Sequence, residues 1–150
     1  MTEPKIDVYS HALGVCEAFC EVVRAGVKRI ALSHPFTEEE LHRDLHGRHF
    51  FSACEKIAEK YGCRAFHLQQ PLITDLFPVS LNSGRQNIVF YREDKDIEEL
   101  LAIQQEKNAL LNAGNYNGEA RKALAVRYGR LLSYSDEAID RYLLSNKELE

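Results

Sequence analysis

The chain has 150 residues, of which 45% are hydrophobic and 28% are charged, and its net charge is −4 at pH 7. This composition is typical of a globular protein, and its length fits one domain of ordinary size. The charge balance excludes a strongly basic surface of the kind that attracts nucleic acid or an anionic membrane. We therefore predict one domain over residues 1–150, without a nucleic-acid or membrane partner.

The N-terminal residues do not resemble a secretory signal. The first twenty residues contain three carboxylates and lack a basic start followed by an unbroken apolar segment. We therefore expect a cytoplasmic protein. In that compartment cysteines without a CxxC pair are expected to be free thiols, of which only Cys63 is expected near the surface. The four are Cys16, Cys20, Cys54 and Cys63.

The first third of the chain changes its hydrophobic period twice. Apolar and polar residues alternate in KIDVYSH, residues 5–11, which predicts a short strand. Residues 12–26 then carry apolar side chains at helical spacing and end in glycine. The segment VKRIALS, residues 27–33, is typical of a buried strand.

The next helix has a well-defined start. Thr37 and Glu40 have the spacing of a capping box, in which each side chain hydrogen-bonds the backbone of the other residue. Phe36 and Leu41 occupy the two positions of a hydrophobic staple. These signals predict a helix that begins at Glu38.

A single straight helix over residues 38–61 would carry apolar residues on two opposite faces. At about 100° per residue, Leu41 and Leu45 would point away from the apolar face of residues 50–61. One helix cannot bury both faces against one sheet. Because Gly47 lies at the changeover, we predict a break there, with helices over residues 38–46 and 48–61.

Three histidines at steps of four and three residues raise the question of a metal site: His42, His46 and His49. The spacing HxxxH occurs on zinc-binding helices. A metal site needs three or four ligands at fixed distances, however, and the predicted break separates His49 from the other two. We predict a solvated helix face and no metal, and leave a site at His42 and His46 as the alternative.

Two strands and three helices are predicted beyond residue 63. The strands cover residues 64–69 and 87–92, and the long connection between them is punctuated by proline and glycine. Asp96 is predicted as the N-cap of the first helix and Ser135 as that of the last. The predicted helices are residues 97–113, 119–132 and 136–144.

Alternating strands and helices indicate crossover connections in a parallel sheet. We therefore predict an α/β or α+β fold, a small three-layer domain with a short, mainly parallel sheet. Residues 1–92 form its α/β part, and the helical C-terminal third, residues 93–150, packs on it. The direction of the strand at 87–92 is left open.

Two Ser-His pairs follow the first two predicted strands, at Ser10-His11 and Ser33-His34. Ligands bind at the carboxyl ends of parallel strands, so we expect both pairs at a common edge, together with Gln70. Ser10 also lies at a predicted helix start, which favours an anion. The alternative is that Ser10 only caps a helix and His34 only precedes a proline turn.

The long connection contains SLNSGR, residues 80–85, whose Ser83 and Arg85 are candidates for binding an anion. Asp75 is a candidate general base or orienting carboxylate. The segment matches no P-loop or dinucleotide fingerprint, and no cofactor is predicted. A surface turn without function is the alternative.

These residues predict a protein that binds a small anionic metabolite at the carboxyl edge of the sheet, or a small enzyme acting on one. The candidate catalytic residues are His11, His34 and Asp75. The candidate ligand-binding residues are Ser10, Ser33, Gln70, Ser83 and Arg85.

The alternative function is a homo-oligomeric interaction or scaffold protein that uses the C-terminal helices. Gln104 and Asn108 interrupt an apolar helix face, and buried polar groups of this kind set the register in some helix pairs. For Arg127, which interrupts another apolar face, we predict an internal ion pair.

Overall fold

The computed structural model describes residues 1–150, and helices cover both faces of a three-stranded sheet. None of the helices has both the length and the apolar character needed to span a lipid bilayer. In chain order the elements are α1 (Val8–Arg24), β1 (Ile30–Leu32), α2 (Glu38–Arg43), α3 (Arg48–Lys60), β2 (Arg64–Leu68), α4 (Val79–Asn82), β3 (Asn87–Tyr91), α5 (Asp94–Asn112), α6 (Gly118–Leu131) and α7 (Asp136–Ser145).

The sheet is antiparallel, so the predicted mainly parallel sheet is wrong. The strand order is β1-β3-β2, and β3 runs antiparallel to both neighbours. The outer strands do run in the same direction, but the last strand inserts between them. Strand β3 has the sequence NIVFY and all five of its residues are buried. A strand in the central position has a neighbouring strand at each edge and helices on each face, so all of its side chains can be buried.

Alternate residues of β3 enter two separate hydrophobic clusters. On one face, sheet residues pack with α5, α6 and α7, including Ile30, Val89, Tyr91, Leu100, Leu124 and Ile139. On the other face, sheet residues pack with α1 and α3, including Ala31, Ile88, Phe90, Cys20, Phe50 and Cys54. Because successive side chains of a strand point to opposite faces of the sheet, this one strand packs against both layers of helices.

The predicted strand at residues 5–11 is also wrong, because α1 already begins at Val8. Asp7 is its N-cap, with an extended backbone, and its carboxylate accepts a hydrogen bond from the Ser10 backbone N–H at 3.3 Å. The Ser10 hydroxyl donates to the same carboxylate. An aspartate cap satisfies a free N–H of the first turn, and that local interaction outweighs a short alternating pattern.

The predicted start and break of the middle helices are confirmed. The Thr37–Glu40 capping box is present at the start of α2, which begins at Glu38. Between α2 and α3, His46 and Gly47 have φ angles of 62° and 58°, which a continuous helix cannot contain. The predicted second helix matches α3 within one residue at each end.

The three C-terminal helices are present, and Ser135 caps the last of them as predicted. The predicted N-cap at Asp96 is wrong, because α5 already begins at Asp94. Asp96 is instead buried in the first turn and accepts a hydrogen bond from the Arg29 guanidinium at 2.8 Å. An ion pair with a residue before β1 therefore determines the role of Asp96.

The C-terminal residues hold the long connection between β2 and β3 in place. The Asn146 amide donates to the Asp75 carbonyl at 2.9 Å. The Glu148 carbonyl accepts from the Val79 N–H at 3.1 Å, and its carboxylate accepts from the Ser80 hydroxyl at 2.9 Å. These contacts fix the connection, including α4, against the body of the protein.

Two helical glycines give a matched test of this packing. A Cβ atom built at Gly129 would lie 2.6 Å from Cγ1 of Ile139, a side chain that is itself buried, whereas one at Gly14 would meet nothing within 4 Å. We expect Gly129→Ala to destabilise the protein by about 1–3 kcal/mol through overpacking of α6 against α7. Gly14→Ala should stabilise it by about 0.5–1 kcal/mol through helix propensity. Urea unfolding measures both, and a stabilising Gly129→Ala would contradict the close helix contact.

Candidate functional site

The structure brings His11 and His34 together, although not in the predicted way. Their ring centroids are 5.9 Å apart with the planes tilted by 48°. His34 follows the carboxyl end of β1 as predicted, but His11 lies in the second turn of α1. Helix packing across the sheet, and not two parallel strand ends, causes the two imidazoles to meet.

The two imidazoles line a cavity of about 200 Å³, which we call the histidine pocket. Two carboxylates also line this cavity. Glu40 belongs to the capping box and lies 3.9 Å from the Arg85 guanidinium, and Asp44 is paired with Arg43 at 2.8 Å. The pocket is defined by His11, Ser33, His34, Pro35, Glu40 and Asp44. Because its walls carry both imidazoles and carboxylates, it has no excess of positive charge.

The two candidate serines have structural hydrogen bonds. Ser10 is exposed and bonded to Asp7, as described above. Ser33 is buried; its hydroxyl donates to the His34 carbonyl at 3.0 Å and accepts from the Ile88 N–H at 2.9 Å. This second bond continues the pairing of β1 with β3 beyond the strand end, so Ser33 fixes the position of the residues that follow it.

The candidates on the long connection lie apart from the histidines. The Asp75 carboxylate accepts two hydrogen bonds from Arg121, at 2.7 and 2.8 Å, in a pair that is largely buried. The Gln70 carbonyl accepts from the Gln104 amide at 2.7 Å. Ser83 is exposed in the turn after α4. Only Arg85 reaches the histidine pocket, through its contact with Glu40.

A second and larger cavity, of about 250 Å³, lies on the other side of Ser33 and Pro35. We call it the aromatic pocket. Its walls come from α1, the segment before β1, α4 and its preceding loop, the start of β3, and the α6–α7 region. The residues that define it are Phe19, Lys28, Phe77, Asn87, Tyr128 and Tyr134.

Phe77 organises the aromatic side of this pocket. Its ring makes edge-to-face contacts with Tyr128 and Tyr134, both with centroids at 6.3 Å, and with Tyr142 at 5.4 Å. Edge-to-face geometry is favourable for aromatic pairs and restrains the orientation of each ring. The long connection that carries Phe77 is held by the C-terminal residues, so this wall is positioned before any ligand arrives.

Lys28 is the one charged side chain of the aromatic pocket. Its ammonium donates a hydrogen bond to the Leu132 carbonyl and lies 4.8 Å from the centroid of the Tyr134 ring. No carboxylate lies within ion-pair distance of Lys28. Because it is half-buried, its pKa is lowered from the usual range of a lysine.

Two polar groups on the wall of the aromatic pocket have no partner in the protein. The Asn87 amide nitrogen donates to the Ser33 carbonyl at 2.9 Å, but its carbonyl oxygen accepts no hydrogen bond. The Tyr128 hydroxyl also lacks a partner, although the side chain is buried. Of the fully enclosed side-chain polar atoms, only the Tyr116 hydroxyl is unsatisfied, so the polar atoms of Asn87 and Tyr128 are accessible from the cavity. Both groups are therefore available to a ligand.

No motif in the sequence marks Lys28, Asn87 or Tyr128 as site residues. Lys28 lies within the segment predicted as a buried strand, residues 27–33, and Tyr128 has the spacing of an ordinary core position on α6. The one available signal was a polar residue at the start of the most apolar strand, where Asn87 stands. The three positions come together only when α6 packs across the sheet.

The other histidines and the cysteines do not form a site. No group of three or more histidine, cysteine or acidic residues lies in a metal-holding arrangement, and the His42 imidazole is paired with Glu38 at 3.0 Å. All four cysteines are free thiols, as predicted. Cys63 is buried, contrary to the expectation of a position near the surface, because it lies under the C-terminal end of α3 within the core.

Comparison with protein-family models, with curated proteins and with solved structures finds no match to this chain.

The buried cysteines give a test of the core on the α1–α3 face. Burial raises the pKa of Cys20 to about 12 and also raises that of Cys63, whereas a hydrogen bond from the Cys54 thiol lowers the pKa of Cys16. All four side chains are at most 5% exposed, so burial excludes a bulky reagent from each of them. We expect dithionitrobenzoate to label none of the four thiols in the native protein and all four after denaturation. Rapid labelling of one thiol in the native state would contradict the packing of this face.

The Asp75–Arg121 pair gives a second test, because we assign it to stability. Its side chains are 18% and 20% exposed, against 62% and 64% for the control pair of Asp94 with Arg64. In a double-mutant cycle with Asp75→Asn and Arg121→Met, we expect a coupling of about 0.5–3 kcal/mol in the free energy of unfolding. The same cycle at the exposed control pair should give about 0.2–1 kcal/mol. Equal coupling at the two pairs would refute the structural role of Asp75.

Proposed function

We propose that this protein binds a small molecule with an apolar ring and one anionic group, of the aromatic carboxylate class, in the aromatic pocket. The observation that carries the proposal is the Lys28 ammonium, which faces a cavity of aromatic and aliphatic side chains without an acidic partner. A half-buried cation without a counter-ion is costly, and an anionic ligand supplies the missing charge.

The remaining polar groups fit the same class of ligand. The Tyr128 hydroxyl is unpaired in the protein and can donate to a carboxylate, whereas the unpaired Asn87 carbonyl oxygen can only accept and needs a donor such as a ring hydroxyl on the ligand. Ligand sites are typically apolar cavities with a few placed polar groups of this kind. The volume of about 250 Å³ lies below the roughly 300–1,000 Å³ of pockets for drug-sized molecules, and therefore suits a molecule with a single ring.

The sequence predicted an anion site at the histidines, whereas the site proposed here lies on the other side of the Ser33–Pro35 segment, in the aromatic pocket. In the histidine pocket, the carboxylates of Glu40 and Asp44 oppose an anion. In the aromatic pocket the only charge is positive. Both pockets lie where β1 ends and β3 begins, so the proposed ligand would lie beside the carboxyl end of β1 and not at a common carboxyl edge of parallel strands.

The interaction-protein alternative gains no support from the polar residues that suggested it. Gln104 donates to the Gln70 carbonyl, and Asn108 is exposed. Arg127 forms an ion pair with Glu99 at 3.1 Å, as predicted, but the two side chains are 35% and 34% exposed, so the pair is not buried in the core. The contacts of Gln104 and Arg127 lie within one chain, and the alternative stays a prediction from the sequence.

The proposal is tested with phenylacetate and its neutral analogue phenylacetamide. We expect phenylacetate to raise the melting temperature in a concentration-dependent manner, and the amide to raise it less, because only the carboxylate pairs with Lys28. Lys28→Met should weaken phenylacetate binding by about tenfold to a hundredfold, as expected for the loss of a hydrogen bond between charged groups. Thermal shift and calorimetry measure these effects.

Lys60→Met is the matched control, because the Lys60 side chain is 64% exposed and paired with Glu17 on the surface, away from the aromatic pocket. It should leave phenylacetate binding unchanged. The proposal is wrong if a panel of single-ring carboxylates, including phenylacetate and benzoate, fails to stabilise the wild-type protein. It is equally wrong if Lys60→Met weakens binding as much as Lys28→Met does.

A further inference from the structure

The groups around Lys28 stabilise its positive charge only weakly. On the pocket side it contacts the Leu132 carbonyl and the face of the Tyr134 ring. On its other side it borders a shallow depression that contains Asp96 and Glu93. The nearby carboxylates are already engaged, Asp96 with Arg29 at 2.8 Å and Glu93 with Lys95 at 3.0 Å.

We infer that Lys28 is a nucleophile that forms a reversible imine with small aromatic aldehydes in the aromatic pocket. The geometry that supports this is an amine at the wall of a cavity large enough for one ring, 4.8 Å from the centroid of the Tyr134 ring, in a cavity that Tyr128 also lines. The inference rests on the proposed function in one respect, since it uses the same cavity.

Partial burial makes the required neutral amine available. Desolvation disfavours the ammonium and lowers the pKa of Lys28, so its neutral form appears at a lower pH than in an exposed lysine. Desolvated lysines are the ones that form Schiff bases with carbonyl compounds. The pocket also carries Tyr128 and Tyr134; burial raises the pKa of both hydroxyls, which therefore stay protonated and can donate hydrogen bonds.

The reaction needs no oxidant or reductant. The neutral Nζ of Lys28 forms a bond to the aldehyde carbon, and the π electron pair moves to the carbonyl oxygen. That oxygen takes up a proton, while the nitrogen loses one, to give a carbinolamine. The carbinolamine oxygen then accepts a second proton and leaves as water, the nitrogen lone pair forms the C=N bond, and loss of the remaining N–H proton gives the neutral imine. The sum is one amine and one aldehyde converted to one imine and one water.

Carboxylates and aldehydes should compete for this lysine. A bound carboxylate stabilises the ammonium, whereas the imine forms only from the neutral amine. Phenylacetate should therefore reduce imine formation both by occupying the cavity and by keeping Lys28 protonated. Phenylacetamide, which has nearly the same shape but no charge, should reduce it less.

The test is reductive trapping of the wild-type protein with benzaldehyde and cyanoborohydride, followed by peptide mass mapping. We expect one benzyl group per chain on Lys28 before the exposed amines react, and more trapping as the pH is raised. Exposed Lys95 and the N-terminal amine of Met1 are internal references within the same sample. Lys28→Arg should abolish the selective label, and Lys95→Arg should leave it unchanged.

The competition measurement uses only wild-type protein and does not depend on whether a Lys28 variant folds. Labelling of Lys28 no faster than Lys95, with no protection by phenylacetate, would overturn the inference. If phenylacetate binds but Lys28 is not selectively labelled, the imine is wrong and the proposed function survives. If Lys28 is selectively labelled but no carboxylate binds, the imine stands and the proposed function is wrong.

Discussion

The burial of β3 on both faces and both edges is the constraint on which this structure depends. Its apolar side chains alternate between two clusters, Val89 and Tyr91 on one side and Ile88 and Phe90 on the other. Full burial of one such aliphatic or aromatic side chain is worth about 1.5–3 kcal/mol. A strand of this kind is stable only between two other strands and between two layers of helices. Strand β3 inserts between two strands that run in the same direction, and it is antiparallel to both.

The position of β3 also determines where the two pockets lie. The Asn87 side chain and the Ser33 backbone meet at the junction of β3 with β1, and Ser33 binds back to the Ile88 N–H. These bonds fix the segment from Ser33 to Pro35, which is the wall shared by the two pockets. The same backbone thus presents His34 to one cavity and leaves the Asn87 carbonyl oxygen free for the other.

The two cavities differ in charge, and this difference suggests the ligand. The histidine pocket combines two imidazoles with the carboxylates of Glu40 and Asp44, so its charges oppose one another. The aromatic pocket has one ammonium, from Lys28, and no acidic partner for it. In surroundings of low polarity an unpaired charge dominates the interaction with a ligand. Two functional groups of a ligand can interact specifically with such an amine. A carboxylate pairs with its charged form, and an aldehyde carbonyl reacts with its neutral form.

The sequence by itself determined the features that depend on a few neighbouring residues. The Thr37–Glu40 capping box and the cap at Ser135 were predicted correctly because each involves contacts within about one helical turn. The break at Gly47 was predicted correctly because the helical period alone places the apolar residues before and after it on opposite faces. The strand predicted at residues 5–11 was wrong because another local interaction, the helix cap by Asp7, outweighed the short alternation of apolar and polar residues. Strand direction and the site were decided only by the tertiary structure. Lys28 and Tyr128 are far apart in the chain and line the same pocket through packing of α6 on the sheet, an arrangement that no local pattern records. His11 and His34 were predicted together, but they meet because α1 packs across β1, an arrangement that sequence periodicity does not specify.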